Sequence, residues 1–293
     1  MNRIYRTATL VLVSLCCMSS SSACNPGHEE WNPDTPPHEQ PGGDEGKDEL
    51  YPKEDGVIRL VTYNVGVFSK YMDDSTAMIA DMMNELGADA LAVNELDWYN
   101  DRHNTDQLKN LASALGEWDY MYGKAIEYRN GYYGEGAAVK SSLGVKDKYE
   151  VPLPQGVGAE ARVLVVIETE KFVFASTHLD HVSDEARTEQ AGLISSALKE
   201  KYGESGKPVF LCGDLNSTPD SGPISVLRQD WTILSPLSAT FPSTVPVSCI
   251  DYIMILNNGA EYEAGYSAVC RRFNSGDVEK ASDHLPVYVD VRL

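Results

Sequence analysis

The sequence holds no basic run, and its 24 Lys and Arg are outnumbered by 44 Asp and Glu. Proteins that grip long polyanions gather Lys and Arg on one face, so tight duplex binding is disfavoured. A local basic pocket, and with it phosphate chemistry, stays open. No C-x-x-C occurs among the six cysteines, which argues against a zinc knuckle or a redox pair. No apolar run reaches the length of a membrane span. No repeat of 20 to 50 residues is visible, which argues against a repeat array.

What is present begins at the N-terminus. Arg3 and Arg6 precede an apolar run from Ala8 to Met18, followed by four serines and Ala23. This pattern reads as an export signal over residues 1–23. Cys24 stands just past it and heads a polar stretch, which favours a lipid anchor on its thiol. Ser21, where an aliphatic residue would favour lipidation, leaves ordinary cleavage as the competing reading. The expected location is a bacterial membrane surface, otherwise the periplasm or the medium. Loss of Arg3 and Arg6 takes the net charge from -20 to about -22.

Residues 24–56 are rich in Pro, Gly and acidic residues and offer little to bury, so they read as a disordered tether. His28 and His38 are solvated members of it. Residues 57–293 suit one catalytic domain, expected as a monomer. Of the cysteines beyond the signal, Cys212 reads as a small buried residue. Cys249 and Cys270 flank an apparent strand pair, where a disulfide is open.

β-rich runs lie at 57–63, 90–93, 163–167, 172–175, 208–211, 250–256 and 287–291. The fourth follows the third closely, as in a hairpin. Ile79, Met82, Met83 and Leu86 have helical spacing, as do Leu108, Leu111, Ala112 and Leu115. A longer helix is expected over 184–202, with Leu193, Ile194, Ala197 and Leu198 toward the core. The Gly-rich aromatic stretch 128–136 reads as a loop. Strands with a few flanking helices suggest a layered α/β sandwich.

Polar residues fall where apolar runs end: Asn64, Glu95, His178, Asp180, Asp214, Asn216, Asp251 and the pair Asp283-His284. One such residue means little, but several imply a convergent mouth. Carboxylate and carboxamide oxygens suit hard cations such as Mg²⁺ or Ca²⁺. In "GDLNSTPDSG", Asp214 and Asn216 can share one rim, although an ordinary Asx turn has the same spacing. In "SDHLPV", Asp283 beside His284 suggests division of work between metal and imidazole. His178 in "STHLDHV" could donate to a phosphate oxygen. Asp251 lies inside an apolar run, where an unpartnered carboxylate is costly.

Together with "TYNV", "NELD", "YGEGAAVKS", "TFPS" and "IDYI", these strings resemble the endonuclease/exonuclease/phosphatase superfamily, in the family's order from Val57 to Leu293. The resemblance implies a four-layered α/β/β/α sandwich of the deoxyribonuclease I kind. It implies Mg²⁺, with Mn²⁺ or Ca²⁺ as alternatives, held by Asn64, Glu95 and Asp283. Asp214 would activate water beside Asn216. His284, assisted by Asp283, would contact the scissile phosphate. His178 would stabilise the transition state, and Asp251 would orient the site. Arg187 and Gln190 match a helix start behind the His178 loop, from which Arg187 could orient a site carboxylate. Two departures stand out. Asn94 replaces a Gln before the metal-binding Glu, and Glu135 stands near the place of a small Asn, to pair with a histidine or to face solvent.

The expected function is metal-dependent hydrolysis of phosphate esters by in-line attack of an activated water. Charge favours a small-molecule or lipid-headgroup substrate, with Trp98, Tyr99, Tyr120, Tyr122, Tyr128, Tyr132 and Tyr133 as candidate pocket walls. The alternatives are a secreted Mg²⁺-dependent nuclease and a catalytically silent surface binding module. Loss of a main site residue would mark the last, and none is lost.

Overall fold

Alternation of inward and outward side chains organises the domain into two sheets with a shared apolar interior. The computed structural model describes residues 49–293; the proposed signal, Cys24 and most of the tether lie outside them. The strands are β1 (Ile58–Asn64), β2 (Ala90–Trp98), β3 (Trp118–Tyr128), β4 (Gly131–Lys140), β5 (Val145–Leu153), β6 (Arg162–Thr169), β7 (Val173–His178), β8 (Val209–Asp214), β9 (Trp231–Ile233), β10 (Asp251–Leu256), β11 (Glu263–Val269) and β12 (Val287–Arg292). The helices are α1 (Thr76–Leu86), α2 (Gln107–Leu115), α3 (Asp184–Tyr202), α4 (Gly222–Leu227) and α5 (Val278–Ala281).

One sheet runs β11-β12-β1-β2-β4-β3 and the other β5-β6-β7-β8-β10-β9. Among the described residues, only β1–β2 and β7–β8 pair in parallel. Val61, Tyr63, Leu91 and Val93 turn outward to meet Ile79, Met82, Met83 and Leu86 of α1 and Leu108 and Leu111 of α2. Leu164, Val166, Leu211 and Met254 meet Ile194 and Leu198 of α3 on the opposite side. Leu60, Ala92, Val165, Phe174, Phe210 and Ile253 fill the space between the sheets. The result is the expected four-layered α/β/β/α sandwich.

Helix α3 starts where the sequence says it should. Ser183 Oγ accepts from Ala186 N at 3.3 Å, with Asp184 and Glu185 in the first turn and Lys199 and Lys201 in the last. Leu193 departs from expectation. It is exposed, because Ile194 and Leu198 hold the face toward the sheet and Leu193 lies about 100° around the helix.

The stretch 128–136 is not a loop. It is a tight hairpin turn at Arg129–Asn130, with φ of 45° and 65°, between β3 and β4. Two consecutive left-handed residues followed by Gly131 match the strand twist that such turns require. Residues assigned to the tether also have partners: Arg59 Nη1 donates to Tyr51 O at 2.8 Å, and Lys53 pairs with Asp89. Cys212, Cys249 and Cys270 are free and buried. Cys249 and Cys270 belong to cores on opposite sides of the sandwich, so the open disulfide is not formed.

Candidate active site

The inter-sheet core turns polar at one end. Strand alternation places every second side chain inward. Moving along the inward rows, Leu60 gives way to Thr62 and Asn64, Ala92 to Asn94, and Ala137 to Glu135. On the facing sheet, Phe174 gives way to Ser176 and His178, Cys212 to Asp214, and Ile253 to Asp251. All of these polar residues are buried.

Local backbone irregularities aim the remaining groups. The β2–β4 register shifts between Val93 and Leu96, and Glu95 within that bulge has φ 61°. A bulge re-aims a side chain that regular pleating would direct elsewhere. Gly213 has φ 148°, and a Cβ there would collide with the carbonyl oxygen of Thr177. Only glycine lets β8 run so close to β7. Asn216 takes φ 47°, and its amide N donates to Asp214 Oδ1 at 2.8 Å. The Asx turn is therefore real and also serves the site.

Hydrogen bonds knit these groups together. Asn64 Nδ2 donates to Glu95 Oε1 at 3.2 Å and to Asp214 Oδ2 at 3.1 Å. Its oxygen accepts from Gly66 N at 3.1 Å. Asn216 Nδ2 donates to Leu179 O at 3.0 Å and lies 2.9 Å from His178 Nε2. An acceptor Nε2 makes His178 neutral, with its proton on Nδ1. Burial and Arg162 hold its pKa well below the usual imidazole range, which keeps the ring neutral.

His284 is the opposite case. Burial works against its charged form, but Asp251 and Asp214 outweigh it and push the pKa up to about 10. Nδ1 lies 3.0 Å from Asp251 Oδ2, and Nε2 lies 3.6 Å from Asp214 Oδ2. Thr240 Oγ1 donates to the same Asp251 oxygen at 2.5 Å. Asp251 thus has the partners its position demands. Its Oδ1 is buried with none. Asp214 is raised to about 7 by burial, with His284 opposing.

Asp214, Asp251 and His284 bring ligand atoms within 4.8 Å of one another, a cluster able to chelate a divalent cation. Hard carboxylate oxygens and the orphaned Asp251 Oδ1 fit such an ion. This grouping differs from the expected set of Asn64, Glu95 and Asp283. Glu95 borders the cluster through Asn64, whereas Asp283 Oδ2 pairs with Lys70 Nζ at 2.7 Å. Asp283 does not touch the His284 ring nitrogens; Asp251 orients them.

Other expectations change in detail. Arg187 Nη1 donates to Asp180 O at 2.8 Å and Gln190 Oε1 accepts from Asp180 N at 3.0 Å, so both fix the loop after β7. The Asp180 carboxylate accepts from backbone N of Ala159, Glu160, Val182 and Ser183, which makes it a loop staple. Glu135 neither faces solvent nor bonds a histidine. Its Oε1 accepts from Val163 N at 3.4 Å, and burial pushes its pKa up to about 8. The aromatic residues divide: Trp98 contacts Tyr99, Tyr122 and Tyr132, while Arg102 lies over Tyr128 and Tyr133.

The roles of two residues were not legible in the sequence. Asn94 Nδ2 donates to Thr177 O at 2.9 Å and its Oδ1 accepts from Asp214 N at 2.9 Å, clamping one sheet to the other. Buried Arg162 sits at the start of β6 with Nη2 3.2 Å from His181 Nδ1. Nothing in the local spacing of "ARVLVV" distinguishes it.

The profile of the Endonuclease/Exonuclease/phosphatase family matches residues 61–284. The chain belongs to that family. Membership and the Asp-Asp-His cluster together make it a metal-dependent hydrolase of phosphoesters. No curated protein matches the chain. Among solved structures, a Bacteroides thetaiotaomicron mannosyl-6-phosphatase is similar at TM-score 0.68 and 19% identity, over 80% of this chain and 100% of that one. The human Nocturnin catalytic domain follows at 0.62 and 17%, over 80% and 93%. D. rerio TDP2 complexed with single strand DNA product gives 0.62 and 14%, over 82% and 100%. At these identities the likeness is one of fold.

Proposed function

We propose that this family member hydrolyses small phosphate esters outside the cytoplasm. The observation that carries the hydrolytic reading is the His284 imidazole held between Asp251 and Asp214, at 3.0 and 3.6 Å. The charged imidazole suits an anionic phosphoryl group, whose oxygens gain charge in the transition state. Asp214, with a pKa near 7, suits acceptance of a proton from the attacking water. Asn216 holds neutral His178 beside Asp214, with Nε2 3.4 Å from Asp214 Oδ2. The Asp214 and Asp251 carboxylates would hold the cation, with Glu95 beside them through Asn64. A bound Mg²⁺ or Mn²⁺ would polarise the phosphoryl oxygen and help deprotonate water.

The small-substrate reading rests on the net charge of -20 and on the fold likeness to a mannosyl-6-phosphatase. A nuclease is the second reading. Its support is the surface where Lys124 and Arg129 lie over Tyr132 and Tyr128, beside Trp98, since bases stack on such rings. The export pattern and Cys24 support a lipid-tethered location, which membrane fractionation of wild type against Cys24→Ala tests. The deciding experiment is a Mg²⁺-supplemented panel of sugar phosphates, inositol phosphates, sphingomyelin, DNA and RNA. Release of phosphate from small esters without nicking of plasmid supports the first reading; the reverse supports the nuclease.

A further inference from the structure

Lys70 reaches the site through an unusual piece of backbone. Gly66, Val67 and Phe68 have φ of 52°, 52° and 57°. Valine and phenylalanine rarely adopt left-handed conformations, and β-branched valine least readily. The surroundings hold them there: Gln107 Nε2 donates to Val67 O at 2.7 Å and Ser75 N to Phe68 O at 2.7 Å. The turn brings Gly66 and Lys70 beside Asp283. A Cβ on Gly66 would lie 3.2 Å from Lys70 Cβ and 3.4 Å from Asp283 Oδ1, so the approach is close.

The lysine ends 2.7 Å from Asp283 Oδ2, with its side chain 42% exposed and that of Asp283 11%. Burial opposes the charge on Lys70, but Asp283 and Glu95 outweigh it and keep the ammonium protonated. An exposed ion pair alone stabilises little and would not account for a strained turn. The carboxylates of Glu95, Asp214, Asp251 and Asp283 repel an anionic substrate, and the charged His284 imidazole that opposes them is buried, whereas Lys70 is exposed. Lys70 combines charge, access and a flexible stem, the properties with which lysine serves as a point-charge binder of phosphate.

We propose that Lys70 is a specificity-determining residue whose ammonium exchanges Asp283 for a non-bridging oxygen of the substrate phosphate, favouring phosphomonoesters over diesters. This rests on the phosphoesterase reading above. A monoester carries close to two negative charges near neutral pH, and a diester one, so the added ammonium contributes more to binding the monoester.

The full chain and its Lys70→Ala, Lys70→Met and Lys70→Arg variants are assayed with Mg²⁺ on p-nitrophenyl phosphate and bis-p-nitrophenyl phosphate. Inorganic phosphate serves as competitive inhibitor. Loss of the charge is expected to raise the monoester KM and the phosphate inhibition constant roughly tenfold, and the diester KM at most about threefold. Lys70→Arg should recover most of the loss, and melting temperatures should stay within about 2 °C. Equal KM changes on both esters, or unchanged KM with a lower melting temperature, overturn the proposal. If the wild type cleaves neither ester, the phosphoesterase reading falls instead. Calorimetric binding of inorganic phosphate then decides Lys70: unweakened binding in Lys70→Ala overturns it.

Discussion

His284 Nδ1 meets Asp251 Oδ2 at 3.0 Å, although the two residues lie 33 positions apart and Asp283 is the neighbour in sequence. Asp251 also accepts from Thr240, and its backbone pairs in register with Asp214. One strand pair therefore sets both the orientation of the imidazole and its distance from the second carboxylate. Asp251→Asn should lower kcat about 10²-fold while KM changes little, because the imidazole loses the partner that holds it charged. Asp214→Ala and His284→Ala should each cost about 10³-fold or more. Steady-state kinetics on folded variants check this; near-wild-type kcat in His284→Ala would sink the proposed roles.

Metal dependence follows from the buried carboxylates. Excess EDTA should abolish turnover, and Mg²⁺ or Mn²⁺ should restore it. Cation binding should also raise the melting temperature, since it relieves repulsion between Asp214 and Asp251. Activity that persists through dialysis against chelator would contradict the reading.

Glu135 makes stability depend on pH. Its pKa is about 8 in the fold, raised by burial from an ordinary value of 4.5. The folded chain therefore binds more protons there than the unfolded chain, and stability falls as pH rises from about 4.5 through 8. Glu135→Gln keeps an oxygen for Val163 N and removes the titration. Its melting temperature should match wild type near pH 5 and exceed it by roughly 5 °C at pH 9. A gap that does not grow with pH would refute the buried-acid account.

Arg59 is fully buried, and its donors reach Asp290 at 2.7 Å twice, with Tyr51 O, Leu86 O and Pro52 O taking the rest. Arg59→Ala leaves Asp290 charged and alone, which should cost about 3–5 kcal/mol in chemical denaturation. Arg59→Lys should also be destabilised, because an ammonium lacks the planar fork. A loss under 1 kcal/mol would show the pair to be dispensable.

The elements that the sequence made legible are those with strong periodicity and caps. Helix α3 is the clearest, since Ser183, the acidic first turn and the basic last turn all mark its ends. The expected strands at 163–167 and 172–175 also form the antiparallel pair β6–β7. Strand β4 was not legible: Gly134 and Gly136 look like loop residues, yet they allow close approach to β3 and α2. The exposed strand β11, Glu263–Val269, carries too little apolar alternation to announce itself.

By itself the sequence determined the layered α/β class, the family resemblance and the group of polar residues gathered at strand ends. Those follow from local patterns, which alternation and motif spacing carry along the chain. Only the tertiary structure decided the partners. Asp251 rather than Asp283 holds His284, Asn94 clamps the sheets, Glu135 is buried, and Lys70 folds back onto Asp283. Each depends on which strands neighbour one another across the sandwich and on bulges and turns that redirect side chains. Those relationships join residues far apart in the chain, and no local spacing encodes them.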